Sequence, residues 1–285
     1  MTAVGEGLLD PLRATANEHG DAIGWSATVL AGGDRPLVLD DVAGTSVLPT
    51  ASIGKLFLLL AVLDDIDTGV LDPDEPLPVI DDDLVADSGV LQFLDHQTMA
   101  VLDLARLVGA VSDNLATNVL LRRVGLDRVE GVAARLGVER CRLHDKVRDA
   151  RTAEHPPFLS TGSAAELADL ARRIRIGRAI SPVVSEALVE MLRLNADLSM
   201  VAAGLGLDPL AHVGDDLGVR LFNKTGSQVG IRADVGGVEA SAAGEWRLVT
   251  YAVIARFVDS GPTRRAVLDA MRTVGERIGA AVTDE

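Results

Sequence analysis

Ser52-Ile53-Gly54-Lys55 sets a hydroxyl and an amine three residues apart. On a helix, positions i and i+3 share a face, so the two side chains become neighbours. A serine is a useful nucleophile only when a base takes its proton, and a lysine that has lost its charge is such a base. A helix start at Ser52 would add free N–H groups and a dipole that favour negative charge. Further on, Ser112-Asp113-Asn114 interrupts two apolar stretches. There Ser112 is suited to relay a proton toward a leaving nitrogen, and Asn114 to hydrogen-bond a substrate amide carbonyl. The same residue types are equally those with which helices begin. Lys224-Thr225-Gly226-Ser227 closes a β-rich stretch. Lys224 offers a cation to a substrate carboxylate and to the Ser112 proton, and Thr225 and Ser227 add hydroxyls. Gly226 leaves room for substrate at the strand edge. The Ser227 N–H, paired with the Ser52 N–H, would make an oxyanion hole.

The lysine count singles out the same positions. The chain has 24 arginines but only Lys55, Lys146 and Lys224. Lysine loses its proton where the surroundings lower its pKa, whereas arginine effectively does not. Lys55 and Lys224 are therefore marked by composition as well as by motif.

The elements that must carry these residues follow from periodicity and turn signals. Helical spacing covers 6–19, and a hairpin signal at Gly32-Gly33-Asp34 joins strands 22–31 and 35–42. A helix is predicted from Ser52 to about Asp67, ending at Gly69. Residues 72–98 are loop-rich, and helices are predicted over 99–110, 115–124 and 127–136. Residues 140–162 show no period, and a loop of that length in a compact domain is usually functional. Helices at 163–176 and 182–194 precede strands at 218–225, 229–240 and 245–257, joined by Gly or Ala-Gly turns, and a helix at 262–280. The simplest assembly is an α+β fold. A five-stranded antiparallel sheet, flanked by the terminal helices, combines residues 1–44 and 205–285, with an all-helical region, 45–204, inserted. A site at the seam of two such regions is a common arrangement.

In this order the three motifs form a set already described for class A β-lactamases and penicillin-binding proteins. The chain resembles that superfamily, and class A most specifically. Ser52 and Ser112 lie 60 residues apart, a spacing similar to the class A one, and Ser88-Gly89-Val90-Leu91-Gln92 and the stretch SDNLATNVLL from Ser112 to Leu121 are also similar. The resemblance implies a β-lactamase/transpeptidase-like fold and a serine hydrolase acylated at Ser52 by β-lactams or related amides and esters, with antibiotic resistance as a consequence. It also implies a glutamate, in an E-x-x-x-N arrangement after the Ser112 motif, that holds the deacylating water. The loop from Cys141 to Glu154 has no such arrangement. Counting back from Ser160-Thr161-Gly162 puts the glutamate's place at Lys146 to Arg148. Asp145, Asp149 and Glu154 are the candidate substitutes. Two alternatives stay open: a D-alanyl-D-alanine carboxypeptidase or esterase of the same superfamily, and a non-catalytic binding relative with weak deacylation. No G-x-S-x-G elbow points to an α/β-hydrolase.

Composition narrows the partners. A net charge of −15 repels phosphate backbones and argues against nucleic acid. The acid excess, Asp81-Asp82-Asp83 included, reads as solvated surface. Cys141 is alone, so no intrachain disulfide forms. The five histidines are scattered, and no zinc-ligand spacing or other cofactor signal occurs. The longest apolar run, Leu56 to Leu63, is too short to span a bilayer. Residues 1–7 lack the basic and apolar regions of a signal peptide, so a cytoplasmic protein is expected as written, and a periplasmic or secreted one if the start is truncated. The expected partner is a small-molecule acyl substrate, with no membrane.

Overall fold

A computed structural model describes residues 7–214, 218–242 and 245–283. The first elements are helix α1 (Asp10–His19) and the expected hairpin of β1 (Ile23–Ala31) and β2 (Leu37–Val42). A short strand β3 (Val47–Pro49) and a 3₁₀ turn (Ala51–Gly54) lead into α2 (Lys55–Asp67). Strands β4 (Pro76–Pro78) and β5 (Thr98–Ala100) pair across the loop-rich segment. Helices α3 (Val101–Val111), α4 (Asn114–Val124) and α5 (Leu126–Arg135) come next. Strands β6 (Arg142–Leu143) and β7 (Ser160–Ser163) follow, then α6 (Ala164–Arg175) and α7 (Pro182–Arg193). The chain ends with β8 (Val219–Gln228), β9 (Ile231–Ala242), β10 (Glu245–Phe257) and α8 (Gly261–Thr283).

The principal sheet is antiparallel throughout, in the order β2-β1-β10-β9-β8. The N-terminal hairpin thus pairs with the last strand of the C-terminal meander, which gives the α+β architecture expected. Alternate residues of a strand point to opposite faces, so each face needs its own cover. On one face Val29, Tyr251 and Val253 pack with Leu12, Met271 and Ile278 of the terminal helices. On the other, Phe222, Ala233, Val235 and Ile254 join the core of the helical region. That core is centred on α2, whose residues 56–63 are all buried. A helix apolar on every side must be interior, and this accounts for the longest apolar run. Among the described residues no helix is long and apolar enough to cross a membrane.

Several expectations are corrected. Helix α1 starts at Asp10, later than position 6. Ser52 lies in the 3₁₀ turn before α2, not in the first turn of the α-helix itself. The 140–162 loop contains β6 and β7, and β7 also pairs with β3. Asp83 is not solvated surface: it is buried, accepting from the Ile80 N–H and from Arg122 Nε at 3.0 Å, because α4 brings the guanidinium over it. The Ala243-Gly244 turn and the first six residues lie outside the described residues.

One close approach fixes the position of α8. A Cβ on Gly275 would lie 1.8 Å from the carbonyl oxygen of Val201, and one on Gly204 would lie 2.3 Å from that of Arg272. The turn at 201–205 and the helix touch backbone to backbone. Gly275→Ala is expected to destabilise the fold by about 2–3 kcal/mol through overpacking, seen as a lower denaturant midpoint at constant slope. An unchanged midpoint would contradict this packing.

Candidate active site

The turn bearing Ser52 is strained and firmly held. Ala51 has φ 49°, in the left-handed region that a side chain disfavours. Ser160 of β7 holds the turn: its carbonyl accepts from the Thr50 N–H (3.1 Å), and its hydroxyl donates to the Ala51 carbonyl (2.5 Å) and meets Thr50 Oγ1 at 2.7 Å. From the other side β8 presses on the turn at Gly226. A Cβ there would lie 2.3 Å from the Thr50 carbonyl and 3.1 Å from the Ser52 nitrogen. Gly226 therefore admits the backbone of the Ser52 turn, a tighter demand than room for substrate.

Behind the serine, two fully buried lysines converge on one hydroxyl. Lys224 Nζ donates to Ser112 Oγ (2.8 Å) and to the Thr225 carbonyl (2.9 Å). Lys55 Nζ donates to the Ser112 carbonyl (2.6 Å) and Asn114 Oδ1 (2.8 Å), and stands 3.3 Å from Ser112 Oγ. Among the described residues its partners belong to the Ser112–Asn114 turn, and Ser52 is not one of them. Burial, and then the neighbouring Lys224 charge, hold Lys55 well below the ordinary lysine range, against a smaller pull from Asp113. Burial brings Lys224 down to about 8, while Asp197 and Asp234 resist the loss of its proton. Three oxygens of the turn, the Ser112 carbonyl, Ser112 Oγ and Asn114 Oδ1, thus surround the Lys55 amine.

The Ser112 turn is strained as well, with φ 55° and ψ 34° at the end of α3. Asp113 caps α4 by accepting from the Ala116 N–H (2.9 Å), so this motif does begin a helix. Its other oxygen accepts from the N–H groups of Val90 (2.7 Å) and Leu91 (2.8 Å), tying the 88–92 segment to the turn. Asn114 Nδ2 donates to the Ala86 carbonyl (2.9 Å). The side-chain amide of Asn114 thus already serves Lys55 and the neighbouring loop.

A cleft of about 390 Å³ opens over these groups, lined by Ser52, Ser88, Ser112, Asp197, Thr225 and Ser227 among others. Of the residues singled out in the sequence, Ser52, Ser112, Thr225 and Ser227 meet there. Lys55, Lys224 and Asn114 support it from behind. The candidate bases do not join it. Asp145 is bound by Arg148 Nε (2.7 Å) and Arg151 (2.8 Å), and burial is outweighed by these guanidinium groups, which keep its carboxyl low. Asp149 is exposed and accepts from the Ala86 N–H, and Glu154 is exposed. The place indicated for a deacylating glutamate holds Lys146, paired with Asp82, then Val147 and Arg148. The Val147 backbone is clamped on both sides by Asn118, at 2.8 and 3.0 Å.

Sequence reasoning missed Asp197 and Arg232. Arg232 stands opposite Ser227 in the β8–β9 register, and that register alone would have revealed it. Asp197 follows α7 in a segment with no periodic signal. The titrating groups also set a pH dependence. If Lys224 meets a substrate carboxylate as a cation, the reaction of such a substrate should slow as pH rises through about 8, where Lys224 loses its proton. In Lys224→Arg, whose cation persists, the alkaline limb should vanish from a stopped-flow pH profile. A limb that stays in place belongs to another group.

The sequence profile described as the Beta-lactamase enzyme family matches residues 8–282. A search of curated proteins finds no match. Among solved structures, a β-lactamase from Sphaerobacter thermophilus is similar at 25% identity and TM-score 0.80, over 95% of this chain and 96% of that one. The structure of PBP-A is similar at 22% identity and TM-score 0.77, over 95% of each chain. An ancestral class A β-lactamase matches at 23% identity and TM-score 0.76, over 96% of this chain and 99% of that one. With nearly its whole length covered by the family profile, the chain belongs to the Beta-lactamase enzyme family.

Proposed function

We propose that this protein is a serine acyl-transfer enzyme in which Ser52 is acylated by carboxylate-bearing β-lactams or related amides and esters, and that its acyl-enzyme is long-lived. The observation carrying this reading is the pair of buried lysines converging on Ser112 Oγ, behind a cleft that Ser52 lines. As the Ser52 hydroxyl attacks the substrate carbonyl, its proton passes to Lys55. Hydrogen bonds of this kind commonly tighten only when substrate is bound. The backbone N–H groups of Ser52 and Ser227 receive the oxyanion. The carbon–nitrogen or carbon–oxygen bond then breaks, and Ser112 gives its proton to the leaving atom and takes one back from Lys55. Lys224, with Thr225 and Ser227, holds the substrate carboxylate. The acyl-enzyme leaves only when a base activates water, and no carboxylate of the 141–162 loop lines the cleft.

Intact-mass spectrometry after mixing with a penicillin tests the reading. A persistent adduct that is absent in Ser52→Ala supports it. Rapid turnover without an adduct contradicts the long-lived intermediate, and an adduct in Ser52→Ala contradicts the nucleophile. The lack of a base from the 141–162 loop is tested separately by Val147→Glu, at the clamped position. A carboxylate that reaches the acyl carbonyl should raise deacylation about a hundredfold, at the low end of general-base effects. An unchanged adduct lifetime would mean that position 147 does not address the water.

A further inference from the structure

We propose that Asp197 determines specificity at this site: with Lys224 behind the cleft it makes the carboxylate end fit a zwitterionic group, favouring acyl substrates that carry a cation beside their carboxylate. The inference rests on Ser52 being the acylated residue. Asp197 is half-buried in the cleft wall that also carries Ser52, Ser112 and Thr225. It is held rigidly. Oδ1 accepts from the Ser199 N–H (3.2 Å) and hydroxyl (2.6 Å), and its carbonyl accepts from Asn195 Nδ2 (3.2 Å). Asn195 in turn bonds Asn223, the residue next to Lys224 (2.9 Å).

Oδ2 accepts no hydrogen bond among the described residues. The nearby cations are committed elsewhere. Lys224 Nζ serves Ser112 and the Thr225 carbonyl, and the Arg232 guanidinium donates to the carbonyls of Gln228 (2.8 Å) and Ile231 (2.7 Å). Asp197 acts on both through space, favouring their charged forms. It makes an ion pair with neither. A site built only for a carboxylate would be weakened by a fixed anion so close to its cations. A substrate cation on the carboxylate-bearing half removes that penalty by meeting Oδ2, while a second anion increases it.

The test measures acylation rates of the full chain by two cephalosporins that differ only in the 3′-substituent, neutral acetoxymethyl or cationic pyridiniomethyl. Wild type is compared with Asp197→Asn, and a serine-directed phosphonate is run in parallel. Intrinsic ring reactivity cancels when the cationic-to-neutral ratio is compared between proteins. Asparagine keeps the Oδ1 bonds to Ser199. The ratio should drop about fivefold in the variant, the worth of a partly exposed charge pair, and the wild-type ratio should shrink as salt is raised. A ratio that is the same in both proteins overturns the inference and leaves the Ser52 reading intact. Slower deacylation in Asp197→Asn at an unchanged ratio also overturns it, by assigning the carboxylate to water activation. If neither cephalosporin acylates the wild type, the β-lactam reading of the site fails and this inference with it, whether or not the phosphonate labels Ser52.

Discussion

Two lysine side chains aimed at one buried hydroxyl are the constraint around which the rest of this site is organised. Two ammonium groups cannot both stay charged in so small a dry volume, because each raises the cost of the other. The surroundings decide which one yields. Lys224 has the carboxylates of Asp197 and Asp234 to support its charge, whereas Lys55 has only Asp113. The oxygens of Asp113 are in turn committed to the N–H groups of Ala116, Val90 and Leu91. The asymmetry makes Lys55 the readier of the two to give up its proton.

Holding that arrangement requires backbone conformations that the chain would not choose locally. Ala51, beside Ser52, and Ser112, between the two lysines, both have positive φ. Such strain persists only where neighbouring structure over-determines it. Here β7 grips the first turn through Ser160, β8 leans on it through Gly226, and Asp113 pins the second turn to the 88–92 segment. Asp234 plays a related part under β8. Burial pushes its carboxyl up to about 7, while bonds from Asn223, the Ala202 N–H and Tyr251 pull it down, so it reinforces the sheet directly behind Lys224.

Much of this was legible in the sequence because it depends on local pattern. The strands and helices follow from hydrophobic period and turn residues, and the motif residues identify themselves by type and order. The scarcity of lysine pointed at Lys55 and Lys224, and both are fully buried, while Lys146 pairs with Asp82 near the surface. What stayed hidden depends on register and on contacts between distant segments. No spacing rule places Arg232 across from Ser227, Asn118 around Val147, or the Thr50 carbonyl where a Cβ of Gly226 would be. Asp83 was misread for the same reason. Its partner Arg122 is 39 residues away, and only the packing of α4 joins them.

The 141–162 loop carries the same lesson into the chemistry. A general base needs a carboxylate oxygen free to face water, with a pKa near the working pH. Asp145 meets neither requirement, since Arg148 and Arg151 occupy its oxygens and stabilise its charge. Moving it into the cleft would strip two guanidinium groups of their partner and undo the contacts that shape the loop. Removing one member of such a cluster leaves the others uncompensated, which costs more than the cluster contributes when intact. Asp145 therefore acts as part of the loop's internal scaffold. Val147 belongs to the same framework, since Asn118 clamps its backbone and its side chain packs against the core of the helical region.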